Sequence, residues 1–190
     1  MREEGIGKEM TENTLRAPLT PPQLQGHTGF ATSLALLLLR LTLGYVMFFH
    51  GAQKMLGWFG GKGIEAFAGA AALQQLPVLP PIAWAWMAAS AEVFGGILLM
   101  VGLLTRLATL PVIVTMVVAI LTVHGANGFA GFRDPVKGMQ AGYEYNLVLI
   151  TMATALLLTG PGLISADAFL FRRGLWARGP QPLENPIKGS

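Results

Sequence analysis

Apolar positions run almost unbroken over residues 31–50, and as a helix at ~1.5 Å per residue that stretch matches a bilayer core of ~30 Å. It predicts a first membrane span. Residues 51–81 form a glycine-rich connection in which Ile64, Phe67, Ala68 and Ala71 share one face of a short helix. A helix of that size lies at the interface instead of crossing. Residues 82–123 are apolar again, and one helix of that length would be ~63 Å long, about twice the core. The chain must fold back at its one polar interruption, Gly102, Thr105 and Arg106, which predicts a second span over 82–103 and a third over 107–124. Residues 125–141 read as a polar loop. A fourth span over 142–159 is stopped by Gly160-Pro161-Gly162, after which Ser165 is placed to cap a short amphipathic segment through Phe171. The fold class is therefore all-α, an integral membrane four-helix bundle with a short interfacial helix between the first two spans.

Four spans put both termini on one side. That side carries Arg2, Lys8, Arg16, Arg106, Arg172, Arg173, Arg178 and Lys188, against Lys54, Lys62, Arg133 and Lys137 on the other. The excess predicts cytoplasmic termini. Residues 1–29 mix charges with prolines and lack apolar periodicity, so they read as a disordered polar tail and not as a cleavable signal peptide. Residues 172–190 read as a basic cytoplasmic tail, leaving a membrane domain over 30–171.

Composition agrees with this layout: of 190 residues, 53% are hydrophobic and only 12% charged, too apolar for an ordinary soluble domain. The net charge of +3 is scattered or sits at membrane borders, which fits lipid headgroups and not nucleic acid. The chain has no cysteine, which excludes thiolate-ligated iron–sulfur clusters, CxxC redox centres and disulfides.

Two ionisable residues fall inside predicted spans. Arg40 interrupts a run whose leucines at 34, 36, 37, 38, 39, 41 and 43 offset its insertion cost of about 2.5–3.5 kcal/mol. Glu92 lies on a helix face with Ala85, Ala88, Ala89, Gly95 and Gly96, small residues that admit a neighbouring backbone, so it faces protein. Counted from the inner ends of their spans, Arg40 and Glu92 differ in depth by only a few ångströms at ~1.5 Å per residue, which predicts an ion pair fixing helix register. A proton-handling or ligand-contacting Glu92 is the sharper alternative.

At the opposite border His50 and Lys54, four residues apart, point the same way. The third span brings His124 and Asn127 to that border, and the fourth opens with Tyr143, Glu144, Tyr145 and Asn146. Each residue alone fits an interfacial anchor. Together, walled by Trp58, Phe59, Trp84, Trp86, Phe129 and Phe132, they form the kind of site that binds a small ligand. Two histidines at one depth could ligate haem, a weak pattern that makes haem the disfavoured choice. A quinone fits better, because its carbonyl oxygens take donors such as His, Lys or Tyr beside proton-exchanging carboxylates. No resident metal is expected.

The stretches RLTLGYVMFFHGAQKMLGWFGG, ASAEVFGGILLMVGLLTRLA, VHGANGF, GYEYNLVLI and LTGPGLISAD together resemble the DoxX family over roughly residues 33–170. The resemblance implies a four-helix membrane protein of the bacterial inner (plasma) membrane, related to the DoxD subunit of thiosulfate:quinone oxidoreductase. It carries the family's polar positions onto Arg40, His50, Lys54, Glu92, Arg106, Asn127, Glu144 and Asp167. Arg106 and Asp167 share the inner border and are expected to form a second structural pair.

The leading functional reading is a quinone-interacting membrane subunit of an oxidoreductase complex, with the electron-donating centre on a redox partner protein. His50, Lys54, His124, Asn127, Tyr143 and Glu144 would line the quinone site, and Glu92 and Glu144 are the candidates for catalytic proton exchange. The alternatives are a non-catalytic anchor or assembly factor held together by intramembrane ion pairs, and a small-solute or proton pathway. Four short spans without repeat symmetry leave little room for the last.

Overall fold

A computed structural model describes residues 24–136 and 138–170, with side chains from Gly29 onward. The tail expected over 172–190 and most of that over 1–29 lie outside these residues. Leu24–Gly29, placed in the amino-terminal tail by composition, are helical instead. Residues Met1–Ala31 and Thr32–Ser190 form two units, and the packing below lies within the second.

The first helix, α1, spans Leu24–Met55. Ser33, Arg40 and Met47 are buried at seven-residue spacing and Lys54 continues the stripe, while Leu34, Leu38, Leu41 and Tyr45 stay exposed on the side suited to lipid. Two short helices follow, α2 (Gly63–Ala68) and α3 (Ala71–Gln74), where a single interfacial helix was expected. They bury Ala68 and Leu73 against Ala85 of α4, which spans Pro81–Val101. α5 (Thr105–Ala119) continues through a π-helical turn, Ile120–His124, and a 3-10 turn, Gly125–Asn127.

The predicted polar loop then contains a hairpin, β1 (Gly131–Asp134) antiparallel to β2 (Gly138–Ala141), with Gly131 opposite Ala141. Asp134 Oδ1 accepts a hydrogen bond from Val136 N at 2.8 Å, which tightens the turn. α6 spans Glu144–Thr159 and α7 spans Ala166–Leu170, with Ser165 Oγ accepting from Ala168 N at 3.1 Å as its cap.

α1, α4 and α5 with its continuation are each long and apolar enough to cross a membrane, and α6 is a shorter apolar helix. All four feed one core: Leu43 and Met47 from α1, Leu99 from α4, Ala108, Val112 and Met116 from α5, and Leu149, Ala153 and Leu156 from α6. α1 and α4 run antiparallel at backbone contact. A Cβ on Gly44 would lie 2.7 Å from Gly96 O, and one on Gly51 would lie 2.7 Å from Val93 N. Glycine at these positions is what permits the approach.

That contact sets the register, with Gly44 level with Gly96, Gly51 with Val93 and Arg40 with Gly102. Arg40 therefore belongs to the end of the bundle where α4 turns into α5, the turn end. Lys54 belongs to the opposite, loop end.

The turn end is a polar knot. Gly102 closes α4 in the left-handed region at φ 73° and donates to Leu98 O at 2.8 Å. Asp167 of α7 lies against the start of α5. Its Oδ1 accepts from Leu104 N at 2.8 Å, its Oδ2 from Thr105 N at 3.1 Å, and its own N–H donates to Gly102 O at 2.9 Å. A carboxylate there satisfies two orphan donors and faces the positive end of the helix dipole.

The expected Arg106–Asp167 pair is thus corrected. The carboxylate is engaged by backbone N–H groups, and the exposed Arg106 donates from its guanidinium to Leu158 O at 3.2 Å, in the last turn of α6. Asp167→Ala is expected to lower stability by about 2 kcal/mol, with Asp167→Asn intermediate, in denaturant titration of detergent-solubilised protein. Equal stability of wild type and the alanine variant would remove Asp167 from this role.

Candidate functional site at the loop end

Glu92 emerges from the small-residue face of α4, where Ala85, Ala89, Gly95 and Gly96 are also buried, and its side chain is fully enclosed. Lys54 reaches it from the last turn of α1, Nζ to Oε1 at 2.5 Å, while staying 30% exposed itself. The ammonium also lies over the Phe67 ring, 5.2 Å from its centroid, a cation–π contact that helps hold it at the apolar border. Glu92 Oε2 is buried and makes no hydrogen bond among the described residues.

The predicted Arg40–Glu92 pair is therefore corrected. Arg40, also fully buried, donates from its guanidinium to Ile164 O and packs against Gly102. Gly102 is ten residues from Glu92, or ~15 Å along the helix. Counting both spans from equal inner ends slid α1 along α4 by that amount. The glycine contacts fix a different register.

Beside the pair, α1 and the turn that follows it build a second polar chain. His50 Nδ1 lies 3.2 Å from Gln53 Oε1, and Gln53 Nε2 donates to Phe59 O at 3.2 Å. Residues 57–61 fold back on the helix to make this possible. Gly57 and Gly60 adopt φ 70° and 78°, Phe59 adopts φ 53°, and Gly61 sits where a Cβ would come 2.2 Å from Gln53 O. The Phe59 ring stacks on Phe49 with centroids 4.6 Å apart, and the His50 ring meets Tyr145 of α6 edge-on at 6.2 Å. His50 thus turns toward α6 while Lys54 reaches α4.

The other expected site residues gather around the hairpin. His124 Nδ1 and Asn127 Nδ2 both donate to Ala141 O, at 3.0 and 2.9 Å, and so tie the end of α5 to β2. Tyr143 packs edge-on to Phe129 at 5.6 Å, and the exposed Glu144 opens α6 with its N–H donating to Phe129 O at 3.0 Å. The single border cluster read from sequence is thus two groups. Lys54 and Glu92 join α1 to α4, and His50 and Gln53 form a separate pair on α1, with the His50 ring against α6.

Gln53 ends the first apolar run with His50 and Lys54, but no role in the site was read for it from sequence. Its only signal was the i+3 spacing from His50, which a surface glutamine shows equally often. Asn146 was also missed as a core residue: it is buried, with Nδ2 3.5 Å from Met116 Sδ. Among the described residues, no group of three or more His, Asp or Glu side chains could hold a metal ion.

The DoxX family model matches residues 35–125, which hold Arg40, His50, Lys54, Glu92 and Arg106. A protein of Bacillus subtilis (strain 168), named "Putative oxidoreductase CatD", is 32% identical over 136 residues, covering 72% of this chain and 87% of its own. No solved structure matches the chain. The family model, a relative aligned over most of its length and the long apolar helices converge on one assignment: this chain belongs to the DoxX family of integral membrane proteins.

Proposed function

We propose that the protein is a quinone-interacting membrane subunit of an oxidoreductase complex. It would sit in a bacterial-type plasma membrane with its termini on the cytoplasmic face, and the electron-donating centre would lie on a partner protein. The observation that carries this reading is the buried Glu92, paired to Lys54 through one carboxylate oxygen and with the other unengaged among the described residues. Phe67 lies against Lys54, and on the preceding turns of α1 the Phe49 ring stacks on Phe59 and the His50 ring meets Tyr145.

These residues suit a flat head with polar edges: aromatic walls, a lysine with N–H groups to spare, an imidazole, and a carboxylate able to exchange protons. A bound quinone would supply reversible two-electron, two-proton carriage, which this cysteine-free chain does not supply by itself. In this reading Lys54 holds an oxygen of the head, Glu92 exchanges protons at Oε2, and the aromatic rings exclude water. The oxidoreductase name of the Bacillus subtilis relative supports the redox class. The groups at the hairpin, His124, Asn127, Tyr143 and Glu144, would line the quinone's way in if the ligand extends toward α6.

Extraction of bound quinone from protein purified out of native membranes tests the reading. Wild type is expected to retain quinone, and a folded double variant, Lys54→Ala with Glu92→Ala, to lose most of it. No quinone in wild type, or equal retention in the double variant, would overturn the proposal.

A further inference from the structure

The hydrogen bonds around Gln53 decide which nitrogen of His50 carries the proton. Phe59 O can only accept, so the Gln53 group facing it at 3.2 Å must be the amide N–H. Gln53 Oε1 is then the atom turned to His50, and an amide oxygen also only accepts. His50 Nδ1, at 3.2 Å, must therefore be the donor. A neutral imidazole carries one proton, which leaves Nε2 as a bare lone pair. No hydrogen bond is made by Nε2 among the described residues.

The turn at residues 57–61 holds the Phe59 carbonyl against Gln53. A non-glycine residue at φ 53°, two glycines beyond φ 60° and a glycine in backbone contact with Gln53 together aim one carbonyl at one side-chain amide.

Resting on the quinone reading above, we infer that Gln53 is a positioning residue that holds His50 as the Nδ1–H tautomer, and that the site thereby selects the reduced, hydroxyl-bearing quinol head over the quinone. A quinol hydroxyl both accepts and donates. Its O–H donates into the lone pair of His50 Nε2. A quinone carbonyl only accepts. Its lone pairs would face that of Nε2, and the imidazole would be left unsatisfied. One hydrogen bond gained by one redox form and denied to the other is worth about tenfold in affinity.

Nitrogen-15 NMR of the histidine-labelled full chain in lipid nanodiscs reads the tautomer directly, with the His50 signal identified by its disappearance in His50→Gln. The expected result is a protonated Nδ1 and an unprotonated Nε2 in wild type. Gln53→Leu should move the proton toward Nε2, and Gln53→Glu, which keeps an acceptor facing the ring, should keep Nδ1 protonated. An Nε2–H tautomer in wild type, or a tautomer indifferent to Gln53→Leu, overturns the inference and needs no quinone to do so. The same nanodiscs are then titrated with a short-chain benzoquinol and with its oxidised benzoquinone. Binding of the quinol about tenfold tighter, with the preference lost in Gln53→Leu, supports the selection. Equal binding of the two forms overturns it while leaving the quinone reading in place. Binding of neither overturns both.

Discussion

Methionine at Lys54 is expected to destabilise the bundle by about 3–5 kcal/mol, the range measured when one partner of a buried ion pair is removed. The size of the effect comes from what stays behind. Glu92 is fully enclosed and has one oxygen already without a partner among the described residues, so loss of Lys54 strands both in an apolar interior. The long methionine side chain replaces the lysine stem's packing and isolates the charge effect.

A second methionine at Glu92 tests the same idea with opposite sign. The double variant carries no stranded charge and should recover to within roughly 1 kcal/mol of wild type, as buried pairs replaced by apolar residues often do. Equilibrium unfolding in mixed micelles gives all four corners of the cycle. A single variant as stable as wild type, or a double variant as poor as the sum of the singles, would show that the pair does not hold α1 to α4.

The second large effect belongs to the turn end. Gly102→Ala places a methyl group in a left-handed backbone conformation, at about 1–2 kcal/mol, and drives it into the buried Arg40 guanidinium and the Ser165 side chain. Overpacking of that kind adds about 1–3 kcal/mol, so a total of roughly 2–5 kcal/mol is expected in the same unfolding assay. The two terms separate experimentally. Shortening the arginine in Arg40→Gln should relieve part of the overlap but none of the backbone strain, so Gly102→Ala should do less damage in that background than in wild type. Strict additivity of the two substitutions would mean that Arg40 does not occupy the space beside Gly102.

The layout of four apolar segments was legible because length and composition decide it. The fold-back at Gly102, the Ser165 cap and the inward face of Glu92 follow from local chemistry, and the structure bears them out. The partners of the buried charges were not legible, for a definite reason. The ends of an apolar run mark where a helix can enter lipid, not how far it slides along its neighbour. Here the slide is set by Gly44 meeting Gly96, and a glycine–glycine contact between distant segments has no signature in a single sequence. Once α1 takes that register, Glu92 finds Lys54 and Arg40 finds a backbone carbonyl.

Carbonyl partners are invisible to a search for opposite charges, which is also why Asp167 was matched to Arg106 and not to two N–H groups. The hairpin over 131–141 was missed because β1 does not alternate in burial, and β2 alternates with Gly138 and Gln140 inward and the apolar Met139 outward, the reverse of an amphipathic pattern. Its consequence for the site is direct, since it supplies the carbonyl that occupies His124 and Asn127.

The two cations of α1 also impose an order of events on synthesis. α1 enters the membrane carrying Arg40 and Lys54, and the carboxylate that answers Lys54 emerges 38 residues later. Arg40 waits far longer, because the carbonyl it binds is 124 residues downstream and belongs to the segment leading into α7. At ~5–20 residues per second that interval is roughly 6–25 s. Through that time a guanidinium stands unsealed at the turn end while the other helices already pack. The segment leading into α7 is thus the closing piece of the bundle, and a ribosome that stops before Ile164 leaves Arg40 without its carbonyl.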